Sequence, residues 1–541
     1  LQNAEPPAMS RFPKPLRFIL LFLLLYSGFF IFRSSFVIES TRYFCLFDDA
    51  MISMQYAQNL AQGHGLTWNA YEKVEGITNP LWTLGMALFH IADIPHNYTS
   101  LCIQILGFLF LSLQCILIWN ISERLFPTIQ IIPIVATICT AMYLPFLTWS
   151  LTGMEVSVCA LIITYVLSKI ESYSDSKAVP WKEIMLLALG TCIRIDMIVP
   201  GVILLAALTI KSRVFHGRTL IIGIISFAAI LGLQTLLRWN YYGEILPNTY
   251  YLKMTGIAPL YRITRGLFST AKFIFFFNPF LIFFSFTYLV KNRNSTLYAI
   301  AALFIAQLCY SSYVGGDAWD WWGGANRYVA LAISPFFIVI AASLYHIYTR
   351  IEDCYSLIKK KRKILIPLAV ALLLIQINFQ RDGSSLATWL LVDTPFGTED
   401  NKRNVEIALL LQHTSPQATI ATATAGSIHY FTQRTMFDML GKNDLYIARL
   451  PAIIPKNKNK YISFHPGHNK FDYRYSIEEK KPDIIAGIDE NDSQVKTLLV
   501  GYRRDVYKNH VLYSKIESTL LTDYRKKILT SQNERNDNEH R

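Results

Sequence analysis

The sequence predicts a polytopic α-helical membrane protein of about 11 transmembrane helices, followed by a C-terminal extracytoplasmic α/β domain. Three observations carry this. Hydrophobic residues make up 52% of the 541 and charged residues 16%, which is not a soluble composition. Apolar runs of about 20 residues recur through the first 380 positions and then stop. The positive excess, 51 Lys+Arg against 38 Asp+Glu for a net +13, gathers in short loops between those runs. It therefore reads as membrane topology rather than as a nucleic-acid face, so a lipid bilayer is expected as partner and nucleic acid is not.

In chain order, residues 1–10, ending Pro6-Pro7-Ala8-Met9-Ser10, read as a cloning scar before a native start near Met9. Residues 11–380 form the membrane domain. Arg11, Lys14 and Arg17 precede the first apolar run and place its start in the cytoplasm; Phe18 to Phe32 lacks a small-residue cleavage site and reads as a retained anchor. Residues 33–97 then form one large external loop, because Pro80 to His90 is apolar but too short to cross about 30 Å of hydrocarbon and suits an interfacial or re-entrant helix. Later spans are Leu101 to Trp119, Ile129 to Trp149, Val156 to Lys169, a broken pair around Arg194, Leu220 to Leu237, Leu267 to Val290, Leu297 to Tyr313, Tyr328 to Tyr348 and Ile364 to Ile377. With this parity the basic loops at 212–218, 291–293 and 359–363 all fall inside, as the positive-inside rule requires. Residues 381–530, with strand-like alternation at Ala418 to Ala423 and Pro482 to Ile485, form the α/β domain, and the polar end 531–541 is expected to be disordered. The eight cysteines form no CxxC or other metal spacing, and packing is their expected role.

The unusual polar residues collect on the external face. Asp48-Asp49 sit in an apolar stretch, where adjacent carboxylates repel and resist desolvation; one gains a raised pKa suited to a general base, or the pair holds a cation. The structural alternative is a helix N-cap followed by a first-turn acid. Glu155 ends a span, and Arg194 with Asp196 interrupts the apolar run Met185 to Ile210, as a functional pair or as mutual satisfaction of a broken helix. Arg238 to Lys253 is a loop dense in aromatics, donors and cations that also suits an interfacial belt. In the loop from Gly315 to Arg327, Asp317 and Trp319 lie among three Trp; aromatic faces beside carboxylates suit sugar binding, as an interfacial Trp cluster equally would. His465 and His468 lack a recognisable third metal ligand, so a hydrogen-bonded structural loop is expected there.

Taken in order, these segments resemble the GT-C class of membrane glycosyltransferases, and within it the family of the mycobacterial terminal β-(1→2) arabinofuranosyltransferase and related pilin-modifying arabinosyltransferases. The resemblance rests on Asp48-Asp49 leading into Tyr56-Ala57-Gln58-Asn59-Leu60 and Gly63-His64-Gly65-Leu66, then Val74-Glu75-Gly76-Ile77-Thr78-Asn79-Pro80 and Thr152-Gly153-Met154-Glu155. It continues in Tyr241 to Thr249 with Lys253, Gly315-Gly316-Asp317 with Arg327, Asp438 to Asp444, and Pro466 to Asp472. Two departures are Arg194-Ile195-Asp196-Met197, where relatives tend to have Arg-Pro-acid-Gly, and a longer Trp319 to Asn326 stretch.

The resemblance implies an inverting transferase that moves a sugar, arabinofuranose from decaprenylphosphoryl arabinose in the named family, to a hydroxyl of a glycan or a pilin-like protein. The donor is a polyprenyl-phosphate sugar and the setting is the outer face of the bacterial inner membrane. It implies Asp48 or Asp49 as base, with Asp48 favoured by analogy; Arg327, Lys253, Arg238 and Arg194 for the donor phosphate; and Tyr56, His64, Glu75, Asn79, Glu155, Asn248, Asp317 and Trp319 for sugar or acceptor. No nucleotide cofactor is expected, and a divalent cation is left open. The competing class is a lipid-linked-sugar flippase or transporter, for which the sequence lacks repeated halves and midplane polar sites.

Overall fold

A computed structural model describes residues 13–539 except 174–178, 213–215, 321–325, 355–360, 380–382, 455–458, 460–462 and 489–492. The proposed cloning scar, Arg213, Trp321, Trp322 and Lys359 lie outside the described residues.

The first helix, α1 (Lys14–Arg33), has 20 residues, enough at about 1.5 Å rise each to cross the hydrocarbon. A short hairpin follows, β1 (Phe36–Ile38) antiparallel to β2 (Thr41–Tyr43). Helix α2 (Asp48–Ala61) is buried without a break from Ala50 to Asn59, and it packs against α3 (Pro80–Ile91). The bundle continues with α4 (His96–Leu125), α5 (Ile131–Met142), α6 (Leu144–Leu151), α7 (Val156–Lys169), α8 (Trp181–Ile193) and α9 (Ile198–Lys211). It goes on through α10 (His216–Tyr242), α11 (Asn248–Met254), α12 (Pro259–Phe277), α13 (Pro279–Lys291), α14 (Ser295–Val314) and α15 (Arg327–Cys354), and the helix Arg362–Asn378 packs against α5 and α12.

Among the described residues, five helices are long and apolar enough to span a membrane, or up to seven if each of two bent pairs is one span. The sequence predicts about eleven; the difference lies in helices such as α7, α9 and Arg362–Asn378, which have 14, 14 and 17 residues. Two expected spans are corrected. Ile129 to Trp149 is bent by 52° at Tyr143, between α5 and α6, where Pro145 opens the second helix. Leu267 to Val290 is not continuous, because α12 and α13 meet at 87°. Pro279 cannot continue the helix, and the Asn278 side chain caps α13 by accepting from the backbone N–H groups of Phe280 and Leu281. The break around Arg194 appears as expected, between α8 and α9.

The C-terminal part contains a five-stranded sheet in the order β4-β3-β5-β7-β6, with β3 (Thr419–Thr422), β4 (Thr435–Asp438), β5 (Ile484–Ala486), β6 (Tyr502–Tyr507) and β7 (His510–Lys515). β3 runs parallel to β4 and β5, and β7 is antiparallel to β5 and β6. One side of the sheet has a core of its own, around Ala421, Met439, Ile477, Ile485 and Tyr513, and the other shares its core with the first loop. Tyr56, Trp68 and Ile77 from the first loop join Leu411, Ile420, Ile484 and Tyr524 in one apolar cluster. Trp68 Nε1 donates to the Ala425 carbonyl at 2.9 Å, and Asn69 exchanges hydrogen bonds with the Met436 backbone at 2.8 and 3.0 Å. The last helix runs from Thr522 to Glu539, so residues 531–539 are helical where the sequence predicts disorder. Helix-compatible Gln, Glu and Arg extend a turn already docked through Tyr524 and Ile528.

Candidate active site

Two cavities meet at the start of α2. The first is lined by Asp49, Ser53, Asn79, Glu155, Arg194, Lys253, Tyr310, Arg327, Tyr328 and Lys442, together with apolar side chains such as Leu246 and Met254. The second is lined by Asp48, Asp49, Trp319, Phe396, Asp400, Asn404, Thr424, Asp438, Lys442 and His468, among others. Asp49 and Lys442 belong to both.

The two adjacent carboxylates have opposite surroundings. Asp48 points at the C-terminal domain and accepts from Ser427 N at 2.8 Å, Ser427 Oγ at 3.0 Å and Gly426 N at 3.3 Å. Burial pushes its pKa up, opposed by the Ser427 hydrogen bonds and Lys442 and aided by Asp49. The tight approach needs Gly426, where a Cβ would strike the Asp48 carbonyl. Asp49 turns into the cavities. Arg327 Nη1 lies 3.0 Å from one oxygen, Trp319 Nε1 donates to the same oxygen at 3.4 Å, and the Lys442 ammonium holds the other. Burial works against the Asp49 carboxylate, but Lys442, Arg327 and Lys253 outweigh it and hold its pKa well below the usual range.

Arg327 opens α15 and is locked from behind. The fully buried Asp317 accepts from its backbone N at 2.9 Å, its Nε at 3.2 Å and its Nη2 at 3.1 Å. Arg194, at the break between α8 and α9, pairs with Glu155 at 3.2 Å and Asp196 at 2.5 Å, and Asn79 Nδ2 donates to Glu155 at 2.9 Å. Lys253 on α11 is desolvated beside other cations, which lowers its pKa to about 8.

The structure thus brings together Asp48, Asp49, Arg327, Lys253, Arg194, Asn79, Glu155 and Trp319, with Asp317 directly behind Arg327. Five other expected site residues line neither cavity. Arg238 is spent on Glu75 at 2.5 Å, a buried pair that closes the loop before α11. Tyr56 donates to Val74 O at 2.7 Å and Asn443 Oδ1 at 2.9 Å, and accepts from Gly76 N. Asn248 Nδ2 reaches the carbonyls of Gly441, Lys442 and Asp444 at 3.0 to 3.1 Å. His64 stands half-buried beside Tyr71. Arg238, Glu75, Tyr56 and Asn248 hold loops together, because their polar side-chain atoms are taken up by neighbouring protein groups. Lys442, Tyr310, Tyr328 and His468 line the site without being singled out from sequence as site residues. For Lys442 the available signal was its place in the Asp438 to Asp444 motif; for the tyrosines it was a polar tip within an apolar span. Among the described residues, no three His, Cys, Asp or Glu side chains converge to hold a metal ion.

Residues 396–532 match a family model described as a domain of unknown function, DUF8728. No curated protein matches the chain. Among solved structures, the crystal structure of ArnT from Cupriavidus metallidurans in the apo state superposes with a TM-score of 0.55 at 10% identity, over 92% of this chain and 98% of that one. The same protein bound to undecaprenyl phosphate gives 0.55 and 10% over 93% and 98%. At such identity the likeness speaks for the fold, and it spans both the bundle and the sheet. The chain is a multi-pass membrane protein of the GT-C fold.

Proposed function

We propose that this protein is an inverting glycosyltransferase that uses a polyprenyl-phosphate sugar, arabinofuranose by the motif resemblance, and a hydroxyl of a glycan or protein acceptor at the outer face of the bacterial inner membrane. The observation that carries the reading is Asp49, a carboxylate on the wall common to two cavities, one of them lined with cations. The solved relative bound to undecaprenyl phosphate supports a lipid phosphate as part of the donor.

In this reading the first cavity takes the donor. Its phosphodiester lies among Lys253, Arg327 and Lys442, and the sugar lies beside Ser53, Asn79 and Glu155. The acceptor enters through the second cavity, flanked by Trp319 and Phe396. Asp49 removes the proton from the acceptor hydroxyl as that oxygen bonds to the anomeric carbon; the bond from that carbon to phosphate oxygen breaks on the opposite face, and the departing polyprenyl phosphate keeps the electron pair. Cations stabilise most where charge develops, at the leaving phosphate. Asp49 takes the role of base in preference to Asp48, whose oxygens are committed to Gly426 and Ser427.

The test is turnover of decaprenylphosphoryl arabinofuranose by purified protein in liposomes with a synthetic arabinofuranosyl acceptor. Release of decaprenyl phosphate with product of inverted configuration is expected, and Asp49→Asn should abolish it. Movement of intact donor across the bilayer without release would establish the flippase class instead. Turnover only with a hexose donor would replace the sugar.

A further inference from the structure

The cations on Asp49 are held in different ways. Arg327 is anchored by three hydrogen bonds to the buried Asp317 and cannot leave without breaking them. Lys442 reaches Asp49 from the opposite wall on a flexible four-carbon stem. Its backbone is fixed on both sides. Asn248 Nδ2 donates to the Lys442 carbonyl at 3.0 Å, and Asp438 accepts from Gly441 N at 3.1 Å and Asn443 N at 2.8 Å. Gly76 lies so close that a Cβ there would strike Asn443. The fixed backbone leaves the side chain as the mobile part, and that side chain faces both cavities.

A carboxylate whose oxygens face an ammonium, a guanidinium and an indole N–H is a weak base. An incoming phosphodiester competes for the same cations. Of the two on Asp49, only Lys442 can turn to it without exposing another buried charge.

Building on the donor and base assignments above, we propose that Lys442 is a shared counter-ion that passes from Asp49 to the donor phosphate, so that the base is released only once the first cavity is filled. The C-terminal domain thereby makes proton abstraction conditional on donor binding, which protects against water or acceptor being activated in an empty site. Among the described residues, Asp48, Lys253, Arg327 and His468 also act on the charge of Asp49, and Glu155, Arg194, Asp196, Asp400, Arg403 and Asp438 line the same two cavities. His468 is neutral, its pKa lowered to about 4 by burial and by the nearby Lys442, so it does not replace the departing charge.

The transfer has a signature that needs no turnover. Asp49 is held well below the ordinary carboxylate range in the empty protein, and an anion that takes away its ammonium raises its proton affinity, so donor binding takes up protons on the acid side. The probe is the methyl ester of decaprenyl phosphate, a phosphodiester with one fixed negative charge that does not titrate in this range. Its binding is measured by calorimetry in buffers of different ionisation enthalpy. Wild type should show proton uptake that grows as pH falls from about 7 to about 5. Asp49→Asn should bind the probe without uptake. Lys442→Met should bind it about tenfold more weakly or worse, with reduced uptake, and Lys442→Arg should recover part of both. Uptake that is absent from wild type, or equal in wild type and Asp49→Asn, would overturn the proposal, as would unchanged affinity in Lys442→Met. If Asp49→Asn abolishes transfer while wild type binds without uptake, only the counter-ion exchange fails. If Asp49→Asn still transfers sugar, the base assignment fails first.

Discussion

The bundle wall of the site and the wall supplied by residues 396–539 bury charge in opposite ways. On the bundle side charge meets charge, at the wall itself in Arg327 with Asp317 and Arg194 with Glu155 and Asp196, and away from it in Arg238 with Glu75 and Arg265 with Asp320. On the C-terminal side buried polar side chains lean on backbone dipoles. Asp438 accepts from the N–H groups of Leu440, Gly441 and Asn443, and the buried Lys470 donates to the carbonyls of Tyr251 and Ala448. Paired charges suit a wall beside lipid, where an unpaired ion is most costly. Groups held by backbone dipoles carry no side-chain counter-ion of their own and can act across a gap. Asp49 and Lys442 are where the two modes meet, which is why this contact is the one suited to exchange partners.

Neutralising each member of the acidic pair should separate the two walls most sharply. Asp49→Asn should lower transfer by roughly 10²–10⁴-fold with the fold retained. Asp48→Asn should chiefly loosen the seat at Ser427, by about 1 kcal/mol, with turnover reduced far less. Turnover and thermal unfolding in detergent check both, and equal losses of activity would erase the distinction between the two carboxylates. Next come the cations. Arg327→Ala strands Asp317 and should cost about 3–5 kcal/mol of stability as well as donor binding. Lys253→Ala should weaken lipid-phosphate binding about ten- to a hundredfold and leave unfolding nearly unchanged. From sequence, both residues belong to external loops and both substitutions should spare the fold; the structure revises this for Arg327, which opens a buried helix.

A pH series probes the C-terminal wall. Burial lowers the pKa of His429 to about 3 and of His468 to about 4, from 6.5, so both are neutral in the folded protein. Below pH 6.5 the unfolded chain takes up protons that the folded one refuses, so stability should be flat above that point and fall as pH drops towards 4. His429→Gln should flatten the fall, measured as unfolding temperature against pH. The smallest effect is expected at Asn248→Ala, which releases the carbonyls of the 441–444 loop for about 1 kcal/mol. Because that loop carries Lys442, acceptor-dependent turnover should fall more than stability does, and equal falls would show that the loop does not depend on this side chain for its position.

Much of the fold was legible because its signals are local. A run of apolar residues as long as α1 or α15, or the alternation around β3, needs only neighbouring residues to be recognised. Asp48, Asp49, Arg194 and Arg327 were legible for a related reason, since ionisable residues beside apolar runs are costly unless used. The kink at Asn278-Pro279 was also written locally, but it was hidden inside an apolar stretch of span length, where hydropathy averages over a proline.

Apolar runs and ions beside them are enough to specify a membrane bundle with an α/β end, an acidic pair after the first helix, and the set of cations from which a phosphate site could be drawn. Which of them are spent and which are available is set by contacts between distant segments. Arg238 and Glu75 are 163 positions apart and cancel each other, whereas Lys442 meets Asp49 across 393 positions. Composition and periodicity report on neighbours along the chain, but the charge a group presents depends on which distant partner shares its burial, and that is fixed only when the first loop and the C-terminal sheet close into one core.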